Sequence, residues 1–319
     1  MRILFSEVRI RPLIVGILKY SDLIAKLMPV SAGATSNSRY CYAVWFRHLN
    51  YLAKQNGGEV PEVVAELGPG DSIGVGLAAL LSGSETYFAM DEINDWNKER
   101  NIRVFHELLT MFRNKEMIPD KKEFPLLFPE ISDYGFPFQM LTPELLEESL
   151  SENRVRKICE EISNPGNKNN RFIKTYAPWN NSDIIQNDSV DFIFSQSALE
   201  QVNTLEEAYA SMQLWMRRGG YMSHVIDYKS LGMTKTWNGH LTFKDWEWEF
   251  VKGGRKFAIN REPHSVHVRL HKQNGFEVIS EINQIQGGSV KREKLAPRFA
   301  GLPDSDLTIS TSFILSRKV

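Results

Sequence analysis

The sequence predicts an α/β fold with a mainly parallel β-sheet and helices on both of its faces. One observation is an apolar run over residues 60–67 that leads directly into a glycine-rich turn and a helix. The other is that strand-like and helical segments continue to alternate over residues 86–227. A strand that is buried on both faces forms a short apolar run, and this alternation implies parallel strands joined by right-handed crossovers.

Residues 1–58 are predicted to form an N-terminal helical extension. Within it, a loop at residues 31–38 precedes a second helix from about Tyr40 to Gln55. The sequence Asn56-Gly57-Gly58 ends that helix, because glycine readily adopts the left-handed conformation found after helix C-termini.

Residues 59–319 are predicted to form the main domain. Its predicted strands lie at 60–67, 86–91, 172–176, 190–195, 221–227, 276–282 and 307–316, and its predicted helices at 72–82, 97–113 and 205–217. Two longer stretches, at about 114–169 and 229–265, are predicted to be insertions, since they exceed the usual length of a connection.

The glycine-rich turn after the first strand predicts a site for a nucleotide cofactor. Gly68 and Gly70 can adopt positive φ and allow a ligand close to the main chain, and the helix that follows is expected to offer free amide groups. A dinucleotide-binding turn has a third glycine where Ile73 stands here. The acid Glu66 would also repel a pyrophosphate and suit an ammonium group. These features favour S-adenosylmethionine (SAM) over NAD.

Four motifs resemble those of the class I SAM-dependent methyltransferases, in the same order, over roughly residues 60–228. They are ELGPGDSIGVG at 66–76, a strand that ends at Asp91, SVDFIFS at 189–195 with ALEQV at 198–202, and the turn Arg217-Arg218-Gly219-Gly220. The resemblance implies a Rossmann-like sheet of seven strands with a reversed last strand. Three features depart from the family pattern: Ser72 stands for a glycine, Gln201 stands for a histidine, and the turn at 217–220 lacks the usual proline.

The segments 40–49 and 223–227, together with Asn260-Arg261, resemble a bacterial subgroup of that family which is associated with surface polysaccharides or secondary metabolites. The resemblance assigns Gly68, Pro69 and Gly70 to the methionine part of the cofactor, Asp91 to the ribose, and the loop at Ala177 to the adenine. Ligands of an open parallel sheet collect beyond the carboxyl ends of the strands. The residues expected to converge there are Glu66, Gly68, Asp91, Ala177, Ser195 and Asp227.

His224 and Asp227 are the predicted catalytic residues, because a hydroxyl acceptor needs a base near its proton. Strand alternation places Asp227 on one face of the sheet and His224 on the other. A core histidine and a structural aspartate are the competing interpretations, and His240 and His264 are further candidate bases in a lid. His264, His267 and His271 have helical spacing but no carboxylate partner, so we expect a solvated helix face and no metal site.

The segment 237–250 alternates aromatic and charged residues. Aromatic rings can stack on sugar rings, which would make this segment a lid over the strand ends. The alternative is a small hydrophobic cap. The aromatic residues are Trp237, Phe243, Trp246, Trp248 and Phe250.

Composition excludes several classes of protein. The net charge of −1 argues against a nucleic-acid partner, since such proteins carry a basic surplus. Two cysteines suggest a reduced, cytoplasmic protein.

The apolar run at 13–18 is too short to span a membrane. Leu13, Ile14, Ile17, Ile24, Leu27 and Met28 are expected to form one helix face. That face would pack against the protein or a second subunit, as in a homodimer, or contact a membrane surface peripherally.

The sequence therefore predicts an enzyme, a SAM-dependent methyltransferase that acts on a small polar acceptor, with a hydroxyl of a sugar or polysaccharide precursor as the preferred acceptor. A secondary metabolite is an alternative acceptor. Two other functions stay open: a non-catalytic SAM-binding protein, and an NAD-dependent oxidoreductase of sugar nucleotides. The absence of a Tyr-x-x-x-Lys pair argues against the oxidoreductase.

Overall fold

The computed structural model describes residues 7–20, 34–93, 96–179, 182–255 and 258–319. The helices are α1 (Ile10–Leu18), α2 (Ser38–Asn56), α3 (Gly74–Leu81), α4 (Lys98–Asn114), α5 (Pro143–Ser149), α6 (Glu152–Ser163), α7 (Leu205–Trp215), α8 (Asp245–Lys252) and α9 (His264–Gln273). The strands are β1 (Val63–Leu67), β2 (Thr86–Met90), β3 (Ile173–Tyr176), β4 (Val190–Gln196), β5 (Met216–Asp227), β6 (Phe276–Ile285) and β7 (Ile309–Lys318).

The strands form one seven-stranded sheet in the order β3-β2-β1-β4-β5-β7-β6. The first five strands pair in parallel, whereas β7 pairs antiparallel with both β5 and β6. Strands β2 and β3 lie on one side of β1, and β4 and the later strands lie on the other, so the strand order reverses between β1 and β4. The predicted α/β Rossmann-like fold with a reversed last strand is therefore confirmed.

Helices cover both faces of the sheet and bury two hydrophobic clusters. The first cluster lies under α2, α3 and α4 and includes Val225 of β5, while the second lies under α7 and α9 and includes Met222 and Ile226. The alternation predicted for β5 is confirmed. Asp227 lies on the same face of the sheet as Val225, and His224 lies on the same face as Ile226.

The helix α2 belongs to the main hydrophobic cluster. Trp45 and Phe46 are fully buried. Trp45 packs against Phe194 of β4, with 5.7 Å between the ring centroids. Residues 38–56 thus share a core with the strands that follow them, so that the boundary at residue 58 divides one packed unit.

The helix α1 exposes most of its apolar side chains. Leu13 packs beside the small cluster of Phe243 and Trp248, whereas Ile14 and Ile17 are exposed. Contact of this face with a second subunit or with a membrane surface stays a prediction. The expected contributions of Ile24, Leu27 and Met28 lie outside the described residues. In the part of the chain that the structure describes, no helix has both the length and the apolar character needed to cross a membrane.

Two segments differ from their predicted form. The helix α7 ends at Trp215 and β5 begins at Met216, so Arg217-Arg218-Gly219-Gly220 lies within a strand and not in a turn. The pairing of β4 with β5 has a register shift at this segment, and Gly219 has a φ of 76°. The stretch 114–169 also contains α5 and α6, and α6 packs on β3 and α4.

The histidines of α9 are buried, and the expectation of a solvated helix face is wrong. His267 and His271 are inaccessible, and His264 is nearly so. The ring centroid of His271 lies 4.9 Å from that of Tyr209 of α7 and 6.0 Å from that of His224 of β5. Within the described residues no group of three or more histidine, cysteine or acidic side chains could hold a metal ion.

Candidate functional site

The turn after β1 has the conformation that its glycines predict. Gly68 and Gly70 have φ values of 68° and 74°, in the left-handed region that favours glycine. A Cβ atom on Gly68 would lie 2.6 Å from the Cβ of Ala198. The turn after β1 therefore touches the turn after β4, and only a glycine fits between them.

The amide groups at the start of α3 are already used by the protein. The amide of Ser72 donates to Oγ1 of Thr35 at 3.0 Å, that of Ile73 to Oδ1 of Asn101 at 3.2 Å, and that of Gly74 to Oγ of Ser72 at 3.1 Å. The expectation of free amides at this helix N-terminus is wrong for these three groups. A pyrophosphate would need such donors, so their engagement argues against a dinucleotide.

The carboxyl ends of β1, β2 and β3 lie side by side, as predicted. The ladder continues one residue past each strand, because the amide of Gly68 donates to the carbonyl of Met90 at 2.8 Å and that of Asp91 to the carbonyl of Tyr176 at 3.0 Å. Gly68, Asp91 and Ala177 are thus brought together at one edge of the sheet. Asp91 is partly exposed there, and Ala177 is exposed.

The side chain of Asp91 also shapes its own loop. Its Oδ1 accepts from the amides of Glu92 at 2.7 Å and Ile93 at 3.4 Å. The loop is held in a tight turn at the end of β2, with the carboxylate at its start. Such a carboxylate can accept hydrogen bonds from ribose hydroxyls.

Glu66 lies behind the glycine turn and not in front of it. It is buried, and its Oε2 accepts from the hydroxyl of Tyr87 at 2.5 Å. Burial raises the pKa of Glu66 to about 8, in spite of that hydrogen bond. The carboxyl group of Glu66 is thus part of the buried core, and its role toward a ligand's ammonium group stays a prediction.

Ser195 and His224 form a buried pair on the α7 and α9 side of the sheet. Oγ of Ser195 lies 2.8 Å from Nδ1 of His224, and both residues are fully buried. Burial lowers the pKa of His224 well below its usual value, and neighbouring histidines add to this effect. A neutral and inaccessible imidazole is poorly placed to contact an acceptor. The position therefore favours the interpretation of His224 as a core histidine, which is bonded to the side chain of Ser195. The catalytic role of His224 and the cofactor role of Ser195 stay predictions.

Asp227 stands at the end of β5 next to a lysine. Its Oδ1 lies 2.9 Å from Nζ of Lys229, whose ammonium group also donates to Oγ1 of Thr311 at 2.8 Å. The Asp227 side chain is 21% exposed. It therefore combines partial access with a fixed orientation, which a binding or catalytic carboxylate requires.

Sequence reasoning missed Glu200, although it quoted the segment that contains it. Glu200 lies in the turn after β4, and is only 2% exposed. Neither of its carboxyl oxygens has a hydrogen-bond partner among the described residues. The available signal was an acid inside the apolar stretch Ala198 to Val202, where buried charge is expected to have a purpose.

Comparisons with known proteins give distant likenesses in structure. A SAM-dependent methyltransferase from Mesorhizobium loti is 12% identical, with 86% of this chain and 98% of that chain covered and a TM-score of 0.40. Phosphoethanolamine N-methyltransferase 2 from Haemonchus contortus, in complex with SAM, is 10% identical, with 95% and 60% covered and a TM-score of 0.43. A 4+2 cyclase, SpnF, is 10% identical, with 85% and 79% covered and a TM-score of 0.40. No protein-family model matches the chain, and no curated protein matches its sequence.

Proposed function

We propose that this protein is a SAM-dependent methyltransferase that acts on a small polar acceptor. The observation that carries the proposal is the arrangement of Gly68, Asp91 and Ala177 at one edge of the sheet. There a glycine turn lies beside the carboxylate of Asp91, and three amides of the helix that follows the turn are already bonded within the protein. This edge suits a nucleoside with hydroxyl groups and no phosphate. It does not suit NAD, whose pyrophosphate requires amide donors at the helix N-terminus.

Each part of the proposed cofactor has candidate contact residues at this edge of the sheet. The close approach of Gly68 to Ala198 leaves the main chain of Gly68, Pro69 and Gly70 as the contact surface for the methionine part. Asp91 would accept from the ribose hydroxyls, and the exposed Ala177 would lie beside the adenine. When bound, the cofactor supplies a methyl group on a positively charged sulfur.

The acceptor is proposed to bind near the ends of β4 and β5. Asp227 would orient an acceptor hydroxyl or take its proton, because Lys229 holds the carboxylate in place. Rate enhancement in such a transfer can come largely from positioning. A sugar hydroxyl is preferred because Trp246 and Phe250 of α8 are 67% and 48% exposed, and exposed rings can stack on a sugar. Phe243 and Trp248 are buried and instead form a small hydrophobic cap.

Calorimetric titration with S-adenosylhomocysteine and, separately, with NAD tests the cofactor. We expect micromolar binding of S-adenosylhomocysteine and none of NAD. Asp91→Ala should abolish binding, and Asp91→Asn should weaken it by about 10- to 150-fold, since one lost hydrogen bond to a charged group corresponds to about 1.5–3 kcal/mol. Asp91→Asn keeps an oxygen for the loop amides and therefore separates loss of charge from loss of the turn. Binding of NAD, or no effect of either variant, would contradict the proposal.

Glu207→Gln is the matched control for these titrations. Glu207 is exposed on α7, and its substitution should leave binding unchanged. Transfer of a labelled methyl group from SAM to fractions of a cell extract then distinguishes an enzyme from a non-catalytic SAM-binding protein. Binding without transfer to any fraction would favour the latter.

A further inference from the structure

Glu200 is held in a fixed turn that touches the glycine turn. Asn260, from the segment before α9, donates its side-chain amide to the carbonyls of Leu199 and Val202, both at 2.8 Å, and its backbone amide to the carbonyl of Glu200 at 2.6 Å. On the other side, Ala198 packs against Gly68. Glu200 is therefore only two residues from the contact between the two turns.

The carboxyl group of Glu200 is enclosed by the protein. It is almost inaccessible, and no described residue completes a hydrogen bond to either oxygen. The titratable groups that face it are Asp227, Lys229, Tyr40 of α2 and Tyr228. Burying a carboxyl group that no hydrogen bond satisfies costs free energy, and such a group calls for an explanation, for example a catalytic role or a bound ion.

The surroundings of Glu200 favour its neutral form. Burial raises the pKa of Glu200 to about 8, and the carboxylate of Asp227 adds to this effect. The backbone amides of Glu200 and Asp227, which face the carboxyl group without completing hydrogen bonds, and the ammonium group of Lys229 oppose it. Near neutral pH the group thus carries a proton that a nearby positive charge could displace.

We infer that Glu200 is the counter-charge for a cationic cofactor: its carboxyl group is neutral in the empty protein and releases its proton to solvent when a sulfonium binds beside the Gly68 turn. The inference rests on the proposed function. An opposite charge close to a buried carboxyl group favours its ionised form over its neutral form. The ionised Glu200 is then also the form that can accept a proton from an acceptor hydroxyl.

SAM and S-adenosylhomocysteine are suitable probes because they differ by one methyl group and one positive charge. Calorimetry in phosphate and in Tris at about pH 7 gives the number of protons released on binding, since the two buffers differ in ionisation enthalpy. We expect SAM to release close to one proton more than S-adenosylhomocysteine. In Glu200→Gln this difference should vanish, whereas Glu207→Gln should retain it.

Each outcome separates the inference from the function on which it rests. Equal proton release for the two ligands, or a difference that persists in Glu200→Gln, overturns the role of Glu200 while leaving cofactor binding intact. Failure of both ligands to bind the wild-type protein overturns the proposed function itself. Should Glu200→Gln fail to fold, Glu200→Met, of similar volume, replaces it, and the wild-type comparison still decides whether a proton is released.

Discussion

Replacing the buried carboxyl group of Glu200 should change how stability depends on pH. Its pKa is about 8 in the folded protein, against an ordinary value of 4.5. A raised carboxyl pKa gives stability that is complete below about pH 4.5 and is lost as the pH rises through about 8. Between about pH 5.5 and about pH 8.5 the loss is about 3 kcal/mol for this one group. Glu200→Gln cannot ionise and should not show it.

Urea unfolding of the wild type and of Glu200→Gln at those two pH values measures the effect. We expect the variant to gain about 3 kcal/mol relative to the wild type on going from the lower to the higher pH. Glu207→Gln, which removes an exposed carboxylate, should follow the wild type at both. Parallel pH profiles for the wild type and Glu200→Gln would refute the reasoning, because they would mean that Glu200 is ionised in the folded protein throughout this range.

Two further variants test the glycine turn and the buried histidines. Gly68→Ala should lower the free energy of unfolding by about 2–5 kcal/mol, because of the left-handed backbone and the contact with Ala198, and it should weaken S-adenosylhomocysteine binding. Gly288 also has a left-handed φ, of 73°, but a Cβ atom there would have no atom within 4 Å, so Gly288→Ala should cost only about 1–2 kcal/mol. Equal losses in the two variants would contradict the packing argument. Burial lowers the pKa of His267 to about 3, so its contribution to stability is complete above about pH 6.5 and is lost as the pH falls toward 3, about 2 kcal/mol by pH 5. His267→Gln should reduce the drop in melting temperature between pH 7 and pH 5, and an unchanged drop would show that this imidazole is protonated without cost.

The sheet and the glycine turn were predictable because their signals are local. An apolar run before Gly68 specifies a buried strand, and the positive φ values of Gly68 and Gly70 follow from residue type. The placement of Asp91 at the end of β2 follows from the alternation of strand and helix. Its position next to Gly68 then follows from the parallel pairing of β1 with β2.

The partners of the turn were not predictable, because they come from distant parts of the chain. Thr35 and Asn101 engage the amides of α3, and no spacing within the motif indicates this. The histidines of α9 show the same limit. Their spacing places them on one face of a helix, but only the packing of α9 against β6 and α7 determines that the face is buried.

By itself the sequence therefore determined the α/β fold, the order of the motifs, the conformation of the glycine turn and the faces of β5 on which His224 and Asp227 lie. Each of these follows from the backbone preferences of single residues or from a period of two along a strand. Only the tertiary structure decided that Glu200, in the turn after β4, is buried close to the glycine turn, and that His224 is buried under α7 and α9. Burial and electrostatic environment depend on which distant segments pack together, and no local pattern in a chain contains that information.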